Sequence, residues 1–183
     1  MPAGDRVAGG AGRGDGDGDG DGRLVGERRV PVIAGRAWAF ADGLRTADIL
    51  PPRLHDAEPR EAAAGLFADL DAGLAALIAP GDVLVAGLCL GSGGGGAAAA
   101  RALAAAGIVA VIASSFADGF DEALLAAGVP AFEVDAPAVF RTGDRLRLNA
   151  EAGTVANQSS GDRQPIRNLD DAALQRLRAR VGR

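Results

Sequence analysis

The sequence predicts an α/β fold with a parallel central sheet flanked by helices and a β-rich portion beside it. Three apolar runs alternate with helical segments between residues 83 and 134, which is the strand–helix–strand pattern of a parallel sheet. Near the C-terminus, apolar and polar residues alternate in Arg145-Leu-Arg-Leu148, a pattern typical of an antiparallel hairpin. With 183 residues, the chain is long enough for one domain with a sizeable core.

The first 29 residues differ in character from the rest. Gly and Asp alternate from Gly14 to Gly22, and such a run has no apolar face to bury. A disordered tail is therefore expected over residues 1–29, before a domain over residues 30–183. An EF-hand calcium loop starting at Asp15 would need a glutamate at its twelfth position, where Gly26 stands. A solvated tail is the preferred interpretation.

The N-terminal part of the domain predicts two short strands and one helix. The strands are expected over Val30–Ile33 and Arg36–Phe40, around a turn at Ala34-Gly35. A polar loop over residues 42–51 follows. Apolar residues at helical spacing then predict a helix over Pro59–Leu77.

The central part predicts three strands and two helices in alternation. Apolar runs indicate the strands, because covered parallel strands are apolar on both faces, and a glycine after each helix marks its end. The expected elements are strand Val83–Leu90, helix Ala97–Ala106, strand Ile108–Ala113, helix Ser115–Ala127 and strand Val129–Val134. After the hairpin, an amphipathic helix is expected over residues 170–181.

The most informative segment is the glycine loop, Gly91-Ser-Gly-Gly-Gly-Gly96, between the first of these strands and the helix after it. A glycine turn at that place directs backbone N–H groups at whatever occupies the helix N-terminus, which suits an anion. From Gly93 to Ala100, no side chain can carry charge or exchange a proton. The sequence therefore predicts an anion-binding site made of main chain.

The same glycines match the dinucleotide-binding pattern Gly-x-Gly-x-x-Gly at Gly91, Gly93 and Gly96. That motif needs an acidic residue at the end of the next strand. Ser114 and Ser115 stand there instead, and at least one of them is expected to cap the following helix. A run of four glycines also matches the pattern easily, so nucleotide binding is the weaker interpretation.

Composition excludes several classes of function. A net charge of −5 disfavours nucleic-acid phosphate as a partner. One cysteine, Cys89, and one histidine, His55, leave no internal disulfide and no cysteine- or histidine-based metal site. We expect Cys89 to be buried in a strand and His55 to be exposed in a polar loop. No apolar run approaches the roughly 20 residues of a membrane span and no signal-peptide pattern opens the chain, so a cytoplasmic protein is expected.

Several segments, taken in order, resemble the small, swivelling subunit of isopropylmalate dehydratase, which is homologous to the mobile domain of aconitase. Together they cover nearly everything from Val30 to Val155. They are Gly35-Arg-Ala-Trp-Ala-Phe40, residues 42–51, Pro80-Gly-Asp-Val-Leu-Val-Ala-Gly87, residues 106–117, Gly128-Val-Pro130 and residues 143–148.

The resemblance implies an aconitase-type swivelling β/β/α domain that serves a hydro-lyase of two kinds of subunit. A large partner subunit carries an iron–sulfur cluster, which takes the substrate hydroxyl as a Lewis acid, and the small subunit caps the site. The implied substrate is a small hydroxy carboxylate of leucine biosynthesis or a related pathway.

In this family, the turn after the central strand reads Gly-Cys-Gly-Ser-Ser-Arg-Glu. Its first serine removes the proton next to a carboxylate, and its arginine binds that carboxylate. The resemblance places Gly94 at this serine and Gly96 at the arginine, so the chain is expected to lack both catalytic side chains. The remaining positions are Ser92 at the cysteine, Gly95 at the second serine and Ala97 at the glutamate.

An earlier family pattern, Asp-Thr-Asp, corresponds to Arg45-Thr-Ala47, which keeps only the threonine. The substrate-binding residues that the resemblance implies are Gly91, Ser92, Gly93, Gly94, Gly95, Gly96 and Thr46. Ser92 either contacts the substrate or bonds to its own backbone. Arg36 and Arg45 either bring positive charge to an acidic substrate or lie solvated on the surface.

Two interpretations of function remain open. The first is the small subunit of a dehydratase-like lyase, which depends on a large partner. The second is a non-catalytic homologue of the swivelling domain that serves as a scaffold, a regulator or a carboxylate-binding module.

Overall fold

The computed structural model describes residue 30 and residues 32–180, without the side chain of Arg180. The strands in it are β1 (Ile33–Ala39), β2 (Val83–Val85), β3 (Ala110–Ala113), β4 (Ala131–Glu133), β5 (Arg145–Asn149), β6 (Thr154–Asn157) and β7 (Arg163–Pro165). The α-helices are α1 (Thr46–Ile49), α2 (Pro59–Ala64), α3 (Gly96–Ala105), α4 (Phe120–Ala127) and α5 (Asp171–Arg180). The predicted disordered tail over residues 1–29 lies outside the described residues.

The strands form one seven-stranded sheet in the order β4-β3-β2-β1-β5-β6-β7. Strands β1 to β4 are mutually parallel, with Leu84 opposite both Trp38 and Val111. Helices α3 and α4 connect β2 to β3 and β3 to β4, since parallel neighbours need a crossover connection. The predicted parallel central sheet is confirmed.

The β-rich portion is the antiparallel half of the same sheet. Strand β5 pairs antiparallel with β1, where Gly35 lies opposite Leu146, and the hairpin of β5 and β6 is extended by β7. Strand β5 alternates exposed and buried side chains, so one face of this half is covered. The predicted hairpin is confirmed, and β7 is an addition that the sequence analysis missed.

Two apolar cores lie on opposite faces of the parallel strands. Helices α2, α3 and α4 cover one face with a core that includes Leu84, Leu103, Val111 and Leu124. The other core joins Val83, Val85, Ile112 and Phe132 to the buried side chains of β5 and β6, and α5 packs against it through Leu174 and Leu177.

The predicted turn at Ala34-Gly35 is wrong, because β1 runs unbroken through it. A Cβ atom on Gly35 would lie 2.1 Å from the carbonyl oxygen of Gly81. This glycine therefore allows a close approach of two backbones inside a strand and does not mark a turn.

The predicted helix over Pro59–Leu77 is also wrong in its length. Helix α2 ends at Ala64, and a separate 3-10 turn covers Leu74–Leu77. The chain leaves the helical path at Phe67, whose φ is 59° and whose buried backbone N–H donates to the carbonyl of Ile49. Burial of this phenylalanine side chain overrides the helical spacing, since tertiary packing outweighs local pattern.

Two elements near the glycine loop begin or end elsewhere than predicted. Strand β2 stops at Val85, five residues earlier than expected, and α4 begins at Phe120 rather than at Ser115. Gly119 is the N-cap residue of α4, so neither Ser114 nor Ser115 caps it. The hydroxyl of Ser115 instead accepts the backbone N–H of Cys89.

Candidate functional site

The glycine loop lies beyond the carboxyl end of β2 and leads directly into α3. Gly91, Gly93 and Gly95 have φ values of 86°, 100° and 88°, in the left-handed region. These positive values alternate along the loop with ordinary ones, as in the backbone concavities that bind anions. Gly95 is the N-cap residue of α3.

The loop presents several backbone donors at one place. Five successive backbone N–H groups donate to no acceptor among the described residues: those of Gly93, Gly94, Gly95, Gly96 and Ala97. No acidic side chain occupies the first turn of α3. The positive end of the helix dipole adds to these donors, so the loop suits a carboxylate or another small anion.

Thr46 holds the loop from inside the protein. Its side chain is fully buried, and its hydroxyl lies 2.6 Å from the carbonyl oxygen of Gly94 and 3.2 Å from that of Ser92. The Thr46 backbone N–H donates to the Ser92 carbonyl, and the Gly91 N–H donates to Leu44. The structure thus brings Thr46 to the glycine loop, where it positions the backbone rather than facing solvent.

Gly91 is fixed by packing as well as by its φ. A Cβ atom on Gly91 would lie 2.1 Å from Cδ1 of Phe120, the buried first residue of α4. The ring of Phe120 also lies 3.3 Å from a Cβ atom built on Gly96. Helix α4 and Thr46 therefore both hold the loop in position.

Space for side chains differs sharply along the loop. A Cβ atom on Gly94 would meet nothing within 4 Å, and Gly94 has no left-handed φ. A Cβ atom on Gly95 would lie 2.1 Å from Cε1 of His55. Position 94 is therefore open to a side chain, whereas the space beside position 95 is filled by an imidazole ring.

His55 is a site residue that sequence reasoning missed. It was expected to be an exposed loop residue, yet it is half-buried and packs on Gly95, with Nε2 3.3 Å from the carbonyl oxygen of Leu50. A 3-10 turn at Pro52–Leu54 brings it there. The only signal in the sequence was the pair Pro51-Pro52, which favours a turn without indicating its direction.

The predicted burial of Cys89 is wrong. Because β2 ends at Val85, Cys89 lies in a connecting segment, where it is exposed and has a φ of 55°. Residues 86–90 separate β2 from the glycine loop. In a dinucleotide-binding fold, by contrast, the strand leads directly into the first glycine of the motif.

The side chains of Arg36 and Arg45 are both engaged with carboxylates of this chain. Arg45 bonds through Nε and Nη2 to the carboxylate of Asp48, which lowers the pKa of that carboxyl. Arg36 bonds to Asp82 at the opposite edge of the parallel strands, and its guanidinium carbon lies 4.8 Å from the ring of Trp38. Each arginine is thus held by a carboxylate of its own.

Ser92 is half-buried, and its hydroxyl makes no hydrogen bond with the described residues. The hydrogen bond to its own backbone, one of the two interpretations above, is not formed. The Ser92 hydroxyl is therefore not engaged by another described group.

Across residues 32–180, no group of three or more His, Cys, Asp or Glu is arranged to hold a metal ion. Over the same range, no helix combines the length and the apolar character needed to span a membrane.

No protein-family model matches the chain. Known proteins do match it over most of its length. It is 37% identical to the 3-isopropylmalate dehydratase small subunit of Nautilia profundicola over 131 residues, which are 71% of this chain and 79% of that protein. It is 32% identical to the isopropylmalate/citramalate isomerase small subunit of Methanocaldococcus jannaschii over 150 residues, 81% of this chain and 89% of that one.

A crystal structure of 3-isopropylmalate dehydratase from Methanocaldococcus jannaschii is similar in fold. The TM-score is 0.72 at 26% identity, over 78% of this chain and 86% of that one. The expected fold class, an aconitase-type swivelling domain, is confirmed. Sequence identity over two thirds of the chain and the shared fold lead to one conclusion: this chain belongs to the family of 3-isopropylmalate dehydratase small subunits.

Proposed function

We propose that this chain is the small subunit of a two-subunit hydro-lyase of the 3-isopropylmalate dehydratase type, and that its glycine loop binds a carboxylate of the substrate through main-chain N–H groups. The relatives named above support the reaction class. The observation that carries the role of the loop is its row of unbonded donors from Gly93 to Ala97 at the start of α3.

Dehydration of a hydroxy diacid removes a proton from the carbon next to one carboxylate and the hydroxyl from the neighbouring carbon. The first step develops negative charge beside a group that is already negative. Donors fixed in advance around that carboxylate lower the barrier, because they stabilise the charge without reorganising. The glycine loop supplies such donors, and Thr46 and Phe120 hold the loop in position.

The chain departs from its family at the side chains of this loop. Gly94 and Gly96 stand where the family has the proton-abstracting serine and the carboxylate-binding arginine. Removal of a positioned base typically costs about two to four orders of magnitude in rate. We therefore assign to the loop of this chain a role in binding and charge stabilisation, not in proton transfer.

The iron–sulfur cluster of the family does not fit this chain. Such clusters are held by several cysteine thiolates, and the sequence has one cysteine. The described residues also lack a group that could hold a metal. We therefore assign the cluster to a large subunit, with the glycine loop closing on its site. A single cysteine also suits a reducing compartment, which supports a cytoplasmic location.

The test is to co-express the chain with the large subunit of the same organism and to follow the dehydration of 3-isopropylmalate by ultraviolet absorbance. We expect a stable complex and turnover that neither subunit shows alone. A complex without turnover would instead support the scaffold or regulator interpretation. Absence of a complex would contradict the proposed function. NAD and NADP, added to the same complex, are expected not to bind.

A further inference from the structure

The imidazole of His55 occupies the volume that a side chain at position 95 would need. A Cβ atom built on Gly95 would lie 2.1 Å from Cε1, 2.6 Å from Nε2 and 2.8 Å from Nδ1 of this ring. The ring therefore lies directly against the N-cap residue of α3, next to the unbonded N–H groups of the loop.

One hydrogen bond orients the ring. Nε2 of His55 lies 3.3 Å from the carbonyl oxygen of Leu50. A carbonyl can only accept, so Nε2 carries the hydrogen and Nδ1 keeps its lone pair. Nδ1 bonds to nothing among the described residues. A backbone carbonyl that fixes the tautomer in this way leaves the other nitrogen ready to accept a proton.

Other groups near the loop are less suited to that task. The hydroxyl of Thr46 is buried and donates to the loop backbone. Arg45 and Asp48 bond to each other. No basic group is hydrogen-bonded to the hydroxyl of Ser92. A serine oxygen accepts a proton from carbon only after a neighbouring base has removed the hydroxyl proton.

We infer that His55 is the proton acceptor of this site and takes the place of the side chain that is absent at Gly94. This inference rests on the function proposed above. This role requires that the carbon next to a carboxylate held by the loop N–H groups comes within reach of Nδ1, and the contact of the ring with Gly95 places the imidazole at that end of the loop.

The step balances on the substrate and His55. Nδ1 takes the proton from the carbon next to the bound carboxylate, and the C–H electron pair becomes the second bond of the alkene. The hydroxyl leaves the adjacent carbon with the C–O electron pair. The leaving hydroxide takes up one proton from solvent to become water, and His55 releases the proton it accepted to solvent, so that the imidazole returns to its neutral form.

The test uses the complete complex with its large subunit and compares His55→Ala and His55→Phe with the parent. Asp56→Asn, at the exposed residue next to His55, is the matched control and is expected to keep the parent activity. We expect kcat to fall by about 10²–10⁴ in both His55 variants while KM changes little, because the donors of the loop remain. Added imidazole restores part of kcat in His55→Ala, where the ring volume is empty, and none in His55→Phe.

A kcat for His55→Phe within about threefold of the parent overturns this inference and leaves the proposed function intact. Loss of activity in His55→Ala without rescue by imidazole, in a complex that assembles and melts as the parent does, overturns it too. If His55→Ala fails to assemble, His55→Gln replaces it, with the same expected fall in kcat. An inactive parent complex contradicts the proposed function itself, so the two failures are distinct.

Discussion

The hydroxyl of Thr46 lies 2.6 Å from the carbonyl oxygen of Gly94, across a separation of 48 residues in the chain. This contact joins the first residue of α1 to the loop that precedes α3. Because Thr46 is fully buried, it supports the loop from inside the protein. The N–H groups from Gly93 to Ala97 meanwhile bond to no acceptor among the described residues. The first prediction concerns this contact.

Replacement of Thr46 by valine keeps the size of the side chain and removes its hydroxyl. We expect the free energy of unfolding to fall by about 1 kcal/mol, the ordinary value of one hydrogen bond. We also expect KM for the substrate to rise, because the loop N–H groups are held less well. Urea unfolding and steady-state kinetics measure the two effects. Thr46→Ser keeps the hydroxyl, so equal losses in both variants would show that the hydroxyl does not support the loop.

Serine and arginine, the side chains that the resemblance assigns to positions 94 and 96, are expected to be accepted by this loop. Gly94→Ser has open space and no left-handed φ, and the Cβ atom of Gly96→Arg needs only a small shift of the Phe120 ring. The double variant Gly94→Ser with Gly96→Arg is expected to raise the kcat/KM of the complex, by up to about 10²-fold if a serine base and an arginine clamp act together.

Gly95→Ser is the matched control for that pair, since it adds the same group one residue later. It introduces a side chain at a φ of 88° and against the His55 ring, so we expect it to lower activity. A gain in Gly95→Ser, or none in the double variant, would contradict the loop geometry described above.

Gly91→Ala tests the packing of the loop against α4. The added methyl meets the ring of Phe120 at 2.1 Å and must adopt a φ of 86°. Backbone strain and overpacking together are expected to destabilise the fold by about 2–4 kcal/mol, measured by thermal or urea unfolding. Gly94→Ala has neither problem and should keep the parent stability. Similar losses in the two variants would refute the assigned positions.

Asp82 lies directly before β2, at the end of the parallel strands opposite the glycine loop, and we expect it to contribute to stability. Its Oδ2 accepts hydrogen bonds from Nε1 of Trp38, Nη2 of Arg36 and the backbone N–H of Ala79. Burial works to raise the pKa of Asp82, but these three hydrogen bonds outweigh it and hold that pKa below its ordinary value.

Asp82→Asn is therefore expected to cost about 2–4 kcal/mol near neutral pH, because buried donors lose their charged acceptor. A lowered pKa in the folded state stabilises the protein above the ordinary value of about 4, and this stabilisation disappears as the pH falls through the folded value. The difference in unfolding free energy between parent and variant should therefore shrink from about pH 6 to about pH 3. A difference that stays constant over this range would contradict the role of the Asp82 charge.

Much of the fold could be predicted from the sequence, because its signals are local. The apolar runs at Val83 and Ile108 mark covered parallel strands, and Gly128 ends α4 as expected. What escaped prediction depends on contacts between distant residues. Phe67 and Cys89, which lie beyond the ends of α2 and β2 but inside the predicted helix and strand, adopt left-handed φ values that no local pattern signals.

The candidate site was predictable in its backbone and not in its side chains. Four successive glycines before an alanine-rich helix indicate free N–H groups, and those donors are found where expected. The approach of His55 required knowledge of the turn after Pro51, and the buried side of Thr46 required knowledge of how α1 packs on α3.

In the proposed function, main-chain N–H groups of the glycine loop hold the substrate carboxylate. The most direct measurement is the amide spectrum of the small subunit, labelled with ¹⁵N-glycine in the complete complex, as 3-isopropylmalate is added. We predict that the resonances of Gly93, Gly94, Gly95 and Gly96 shift on binding, while those of Gly35 and Gly143 stay in place. Unshifted loop resonances in a complex that turns over its substrate would contradict the claim.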